Sequence, residues 1–297
     1  MLHLAPIVLF TYNRLFETRE TINSLKKNFL SKESDLIIFS DGPKGSKDKK
    51  VSEVRDFLDT ITGFKSVKII KSSVNKGLAN SIIDGVTMIL KNYNSIIVLE
   101  DDLITSPNFL NFMNQALDFY EYNNQVFSIS GYTMNLSNLK KINQDFYFGY
   151  RASSWGWGTW RGRWESVDWE LKDFKVLSSR EKCKFSKGGS DLPRMLNNHL
   201  NNKIDSWAIR WVYHQFITNR FSIFPSISKV NNIGYGASAT HTKRITRFLT
   251  DLDLGDKEKF TFNNDVILNI KLLKEFRGKF SIFNRLLDRF YLLLKID

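Results

Sequence analysis

The feature that most constrains this chain is an alternation in its first 130 residues between short apolar runs and stretches of helical spacing. "APIVLFTY" (5–12), "DLIIFSD" (35–41), "KSVKIIKSS" (65–73) and "SIIVLEDD" (95–102) read as strands. Between them, "FETRETINSLKKNFL" carries helical spacing through Thr18, Ile22, Leu25 and Phe29, and "SEVRDFLDTI" is a second helix. "GLANSIIDGVTMILKN" turns Leu78, Ile82, Val86, Ile89 and Leu90 to one side, and "NFLNFMNQALDFYEYN" closes the series. Strands alternating with helices predict an α/β fold with a mostly parallel, Rossmann-like sheet covered by helices. Ligands of such sheets collect beyond the carboxyl ends of the strands. The polar residues gather at those ends: Thr11, Asn13 and Arg14 after the first strand, Asp41 after the second, and Glu100, Asp101 and Asp102 after the fourth.

From about residue 126 the rhythm changes. "VFSISGY" and "DFYFGYRASSWGWGTWRGRW" are aromatic and glycine-rich without helical period. "KIDSWAIRWVYHQFITNRFSIF" returns to a helix, and "PSISKVNNIGYGASATHTKR" reads as loop. A charged strip at 251–259 precedes a last helical segment, "FRGKFSIFNRLLDRFYLLLK". The expected organisation is a catalytic domain over 1–245, with halves at 1–125 and 126–245, and a helical tail over 246–297.

With 297 residues, 42% of them hydrophobic, the chain can bury a large core. Its 43 basic residues against 31 acids leave a net charge of +12, which suits an anionic partner without choosing one. Cys183 is the single cysteine, so neither an internal disulfide nor a thiolate cluster can form. The first residues lack the pattern of a secretion signal, and no apolar window is long enough to span a membrane. The expected location is cytoplasmic, with room for a peripheral contact on the inner face of the membrane.

Three adjacent carboxylates repel one another, so Glu100–Asp102 demand a positive partner. A hard cation such as Mg²⁺ or Mn²⁺ is held by one or two carboxylates plus substrate phosphates. The plainer alternative is a solvated turn capping the helix that starts near Pro107. Arg14 could pair with a diphosphate or a base edge, or could simply be a surface arginine at a helix start. Asp41 before a glycine is also an ordinary turn signal. Lys76 and Gly77 stand just ahead of a helix, where free N–H groups favour phosphate. No P-loop occurs and no G-x-G-x-x-G follows a strand, so the standard NTPase and dinucleotide readings fail.

The ordered set "PIVLFTYNR", "IIFSDGPKG", "NKGLANSIIDGV" and "IIVLEDDLITSPNFL" resembles the GT-A glycosyltransferases. It is most similar to the branch holding N-acetylglucosaminyltransferase I and family-2-like bacterial sugar transferases of surface polysaccharide clusters. The likeness runs on through "SSWGWGTWRGRW", "KIDSWAIRWVYHQF" and "SKVNNIGYGASATHT". It implies a divalent metal (Mn²⁺ or Mg²⁺) on Asp102 and contacts of Glu100 and Asp101 with ribose or donor sugar. It also implies a uridine site lined by Arg14 and Asp41 with backbone near Thr11 and Asn13, and Lys76 near the nucleotide. Asp205 falls where inverting members carry their base; the motif has two adjacent acids, and here Asp205 is followed by Ser206. His241 in "ATHT" is implied as a late metal ligand or diphosphate contact, although a lone histidine is more often structural.

Trp155, Trp157, Trp160 and Trp164 suit either sugar stacking or a core wedge, and His214 reads as core or groove lining. Phe283, Leu286, Leu287, Phe290 and Leu294 share a face of the last helix, which either packs on its own domain or lies in an anionic membrane surface. The implied partners are a nucleotide-sugar donor, with a UDP-sugar and UDP-GlcNAc first, and a saccharide or lipid-linked acceptor. Nucleic acid is not expected, because acids at a binding cleft repel phosphates. A sugar-nucleotide nucleotidyltransferase and a non-enzymatic anion-binding protein are the rival readings.

Overall fold

In the computed structural model, which describes residues 4–45, 48–234 and 246–294, four parallel strands form one half of an eight-stranded sheet. These are β1 (Ile7–Thr11), β2 (Asp35–Ser40), β3 (Ser66–Lys71) and β4 (Ser95–Glu100). The helices between them are α1 (Leu15–Lys26), α2 (Lys49–Leu58) and α3 (Leu78–Leu90). After the short β5 (Leu103–Thr105) come α4 (Phe109–Phe119), β6 (Val126–Ser130), β7 (Phe146–Gly149) and β8 (Trp157–Trp160). Helices α5 (Arg161–Glu165), α6 (Ser179–Phe185), α7 (Leu192–Leu200) and α8 (Trp207–Ile217) follow, then β9 (Phe221–Pro225) and β10 (Val230–Asn232). The tail ends in α9 (Ile270–Lys279) and α10 (Ile282–Leu294).

The sheet order is β3-β2-β1-β4-β8-β6-β9-β7, with β7 and β8 antiparallel to their neighbours. A separate ribbon pairs β10 with β5. Because successive strand residues face opposite ways, β1 sends Ile7 and Leu9 into one core and Val8 and Phe10 into the other. β4 divides in the same way, with Ile97 and Leu99 opposite Ile96 and Val98. α1, α2, α4 and α9 cover the first face, while α3, α7 and α8 cover the second. The exposed edge at β3 carries Lys68 and Lys71, charges that discourage further strand pairing.

The stretch after residue 126 departs from its aperiodic appearance: it supplies β6, β7 and β8. β8 runs antiparallel between β4 and β6, and its tryptophans point both ways. Trp157 stacks on Trp164 at 5.6 Å and lies 5.3 Å from Trp211 on the α3/α8 side. Trp160 is on the other side, its Nε1 donating to the Leu117 carbonyl at 3.0 Å. Trp157, Trp160 and Trp164 are therefore core, and Trp155 alone of the four is half-buried. His214 is core too, its ring 5.7 Å from Phe127 and its Nε2 3.1 Å from Ser166 Oγ.

α1 stops at Lys26, leaving Phe29 exposed, and Leu78 at the start of α3 is exposed as well. The single last helix expected from the sequence is two, broken at Phe280–Ser281, where Ser281 Oγ accepts from Asn284 N at 3.2 Å. Ahead of them the tail wraps α4. Asn108 Nδ2 donates to Lys257 O at 2.8 Å, Gln115 Nε2 to Glu258 O at 2.7 Å, and Tyr120 Oη to Asn263 O at 2.7 Å. Phe260, Phe262, Phe276 and Phe280 join the same core as β1 and β4. Among the described residues no helix is long and apolar enough to cross a membrane.

Removing the Trp157 ring leaves a void between β8, α5 and α8 that rigid strands cannot close. Trp157→Ala is expected to lower unfolding free energy by about 3–5 kcal/mol, read from urea denaturation.

Candidate active site

Arg14 is the N-cap residue of α1, directly beyond β1, and Glu100 is the last residue of β4, paired in register with Phe10. Adjacent parallel strands thus deliver a guanidinium and an acidic turn to one point. Arg14 Nη2 forms a short ion pair with Asp101 Oδ1, and Nη1 lies 3.1 Å from Asp102 Oδ2. Asp101 also accepts from Tyr12 N at 3.2 Å. Asp101 and Asp102 are buried and Glu100 half-buried.

One guanidinium faces three carboxylates. Burial, then the charges of Asp102 and Asp101, raise the Glu100 carboxyl from its ordinary 4.5 to about 8. Burial raises Asp101 to about 6 against the opposing pull of Arg14. Burial disfavours the Arg14 charge, but Asp101 and Asp102 outweigh it, so Arg14 is held protonated.

Asp102 has the most telling environment. Its Oδ2 faces Arg14, while its Oδ1 is buried without a hydrogen-bond partner. A buried carboxylate oxygen left this way costs roughly 1–3 kcal/mol or more, so the position favours a cation. Among the described residues no three His, Cys, Asp or Glu side chains converge as a ready metal cage. The orphaned Asp102 oxygen is the kind of ligand that a hard cation takes when one or two carboxylates hold it and phosphate and water complete its shell. The donor set therefore fits Mn²⁺ or Mg²⁺. His241, the other expected ligand, lies outside the described residues.

A residue that sequence reasoning passed over closes the site. The β5–β10 ribbon returns the chain beside the triplet, where Ile233 N donates to Asp102 O at 2.8 Å. A Cβ on Gly234 would overlap Asp102 Oδ2 and come within 3.1 Å of Arg14 Nη1. Only glycine leaves that oxygen its space. The glycines of "NNIGYGAS" were the available signal, but nothing local marks which carboxylate they approach.

Asp41 is differently employed. Its N–H donates to Thr11 O at 3.0 Å, joining the ends of β1 and β2. Its carboxylate accepts from Gly42 N and Lys76 N, both at 2.8 Å, from Asn75 Nδ2 at 3.0 Å and from Gly77 N at 3.1 Å. Asp41 thereby shapes the loop that opens α3, a role shared with Asn75, which the sequence reading also missed. Lys76 Nζ pairs with exposed Asp84 at 3.0 Å. Thr11 is buried with its hydroxyl 3.4 Å from Phe39 O, and Asn13 is half-buried between Tyr12 and Arg14.

Asp205 stands apart from the triplet's hydrogen bonds. It precedes Ser206, whose hydroxyl caps α8 by accepting from Ile209 N, and its two-thirds-exposed carboxylate lies 3.3 Å from Arg210 Nη2. The structure thus unites Arg14, Asp101 and Asp102 next to Glu100, and sets Asp41 and Lys76 in a neighbouring loop.

The raised acids make stability depend on pH with a definite sign. Glu100 and Asp101 bind protons more tightly folded than unfolded, so the unfolded chain holds fewer protons between about pH 4.5 and 8. Stability in metal-free buffer is expected to fall as pH rises through that window. Glu100→Gln should flatten the decline, as measured by thermal melts in EDTA across pH 5–8.5; an unchanged slope would refute the assignment.

No curated protein matches the sequence. Among solved structures, GalNAc-T7 with UDP, GalNAc and Mn²⁺ aligns with TM-score 0.48 and 9% identity, over 82% of this chain and 45% of that one. The mannosyltransferase PcManGT from Pyrobaculum calidifontis, in complex with GDP-Man and Mn²⁺, aligns with TM-score 0.38 and 12% identity, over 54% and 45%. S. aureus TarS gives TM-score 0.36 and 13% identity, over 74% and 35%. This chain spans less than half the length of each. The central sheet flanked by helices is the α/β fold that the GT-A resemblance implies. The model of glycosyl transferase family 2 matches residues 7–175, more than half of the sequence, and the chain belongs to that family.

Proposed function

We propose that this chain transfers a sugar from a nucleotide diphosphate donor to a hydroxyl of a saccharide or lipid-linked acceptor, with inversion. A UDP-sugar is the proposed donor, UDP-GlcNAc first, as in the N-acetylglucosaminyltransferase I-like branch that the motifs resemble. The observation that carries the reading is the Asp102 carboxylate, one oxygen on Arg14 and the other buried without a partner, at the carboxyl edge of the central strands.

The chemistry required is departure of a diphosphate and deprotonation of a hydroxyl. Asp102 would hold a divalent cation, whose contribution there would be Lewis-acid neutralisation of the leaving group. Arg14 fixes Asp101 and Asp102 and adds a preorganised positive charge at the same place. Gly234 keeps space open at Asp102. Glu100 and Asp101 are proposed to accept hydrogen bonds from ribose or sugar hydroxyls, and the Asp41-anchored loop to border the base. Asp205, on the α8 side, is proposed to accept the proton of the attacking acceptor hydroxyl. Its exposure leaves it accessible to an acceptor arriving from solvent, and Arg210 orients it.

Peripheral membrane contact through α10 belongs to the same proposal. Ile282, Phe283 and Leu286 are exposed near Lys279 and Arg285, which suits an anionic bilayer surface.

A thermal-shift screen of UDP-, GDP- and dTDP-sugars with and without Mn²⁺ tests donor and metal together, because a ligand of the native state raises Tm. Stabilisation by a UDP-sugar only with Mn²⁺, lost in EDTA and in Asp102→Ala, is the expected result; indifference to both treatments refutes it. Asp205→Asn is expected to lower kcat by about 10²–10⁴-fold while donor binding is retained. The product of the intact enzyme should have inverted anomeric configuration by NMR, and retention would remove Asp205 from its role.

A further inference from the structure

A cavity of about 200 Å³ lies beyond the carboxyl end of β6, between the 151–155 turn, α7, the first turns of α8 and the tail. Its walls are largely hydrocarbon. Trp155, Phe248 and Phe280 form one side, and Met195, Ile209 and Val212 another. Trp155 packs edge-on against Tyr132 at 4.6 Å and Phe248 at 5.6 Å.

Most of the polar groups lining it are engaged elsewhere. Arg151 holds Asp191 through both terminal nitrogens at 2.9–3.1 Å and lies over the Phe280 ring at 4.1 Å. Tyr132 Oη donates to Phe248 O at 2.9 Å, and Ser153 Oγ accepts from Trp155 N at 3.2 Å. A sugar ring buried here would lose water around each hydroxyl and find few partners, at a cost of roughly 1–3 kcal/mol per unpaired group. A hydrocarbon group loses nothing and gains burial. A dry cavity of about 150 Å³ already accepts a benzene ring, so the size suits one aromatic ring or a short length of chain.

Position connects the cavity to the active site. Ala208, Ile209 and Val212 in its wall belong to the same helix that Asp205 precedes. On the other side Gly156, next to Trp155, abuts Val230 of β10, the strand paired with β5 directly after Asp102. We propose that this cavity binds an apolar group, alkyl or aryl, carried by the acceptor. The acceptor is then an amphiphile whose hydroxyl end faces Asp205 and whose hydrocarbon end is buried. The acceptor identity rests on the proposed transferase reading; the cavity's preference for hydrocarbon does not.

The test uses the full chain with methyl, phenyl and heptyl β-D-glucosides, below the micelle concentration of the last, by calorimetry. Phenyl or heptyl glucoside is expected to bind more than about tenfold tighter than methyl, since each buried methylene contributes favourably. The better of the two identifies the group as aromatic or aliphatic. Ala208→Phe, which fills the cavity, should abolish the preference while Mn²⁺-dependent UDP binding persists. Phe248→Ala, which widens it, should move the optimum to a longer alkyl chain, and gives the answer should Ala208→Phe not fold. Tyr122→Ser, on the exposed turn after α4, should change nothing, which separates the cavity from a surface patch. Equal binding of all three glucosides, or a preference that survives both cavity substitutions, overturns the proposal. Hydrocarbon preference without UDP binding would sink the transferase reading and leave the cavity assignment standing.

Discussion

The guanidinium of Arg14 between Asp101 and Asp102 is the contact around which the functional edge is built. Buried like charges a few ångströms apart repel with energies of several kcal/mol even at an effective dielectric near 20, so an acidic turn of this kind needs compensation. Arg14 compensates part of it, its planar fork presenting one terminal nitrogen to each of two carboxylates. The remainder shows as carboxyls of Glu100 and Asp101 raised above their ordinary values, so that each keeps its proton to a higher pH. A divalent ion on Asp102 would add positive charge at the same place and favour loss of those protons.

Not every acid at a strand end is a ligand. Asp41 accepts four hydrogen bonds, three of them from backbone N–H groups and one from the Asn75 amide. Its lone pairs are committed to the loop that opens α3. Asp102, by contrast, has an oxygen with no partner among the described residues. Two aspartates that look alike in the sequence, each following an apolar strand, differ in the donors that surround them. Burial with a missing partner, rather than burial alone, is what sets Asp102 apart.

The first half of the chain was legible because its signals are local. β1, β2 and β4 are continuous apolar runs that are largely buried, and α3 carries its own 3.6-residue period; both survive in the structure almost unshifted. What the sequence hid depends on long-range partners. β8 is a four-residue strand rich in glycine and tryptophan, and it becomes a strand only because β4 and β6 pair with it from 60 and 30 residues away, roughly. Gly234 acquires meaning through the β5–β10 pairing, which spans more than a hundred residues. Arg163, in "WRGRW", has nothing in its local sequence to mark it as internal, yet it is buried with its guanidinium on the carbonyls of Tyr120, Asn123 and Val126. Of the site itself, the acidic triplet and Arg14 were visible; the fully engaged state of Asp41 and the space kept by glycine were not.

The tail bears on the apolar cavity through its packing. Lys229, almost wholly buried, pairs with Asp253 and lies 4.7 Å from the Phe260 ring, fastening the tail where the β10 strand begins. Glu275 accepts from Ser137 N and Asn138 N, fastening α9 to the loop after β6. With both ends of this segment tied to the sheet domain, Phe248, Phe276 and Phe280 form a fixed cavity wall rather than a loose cover. α10 then leaves from that wall, at Ile282, with Phe283 and Leu286 facing solvent. Scattered apolar residues on a surface need no explanation, but three within five positions of a basic helix form a contiguous strip. The amphiphilic acceptor and the membrane contact proposed above fit together on this surface: such an acceptor would meet that strip first and the cavity next, and only its polar end would extend towards the charged edge where Arg14 and Asp102 stand.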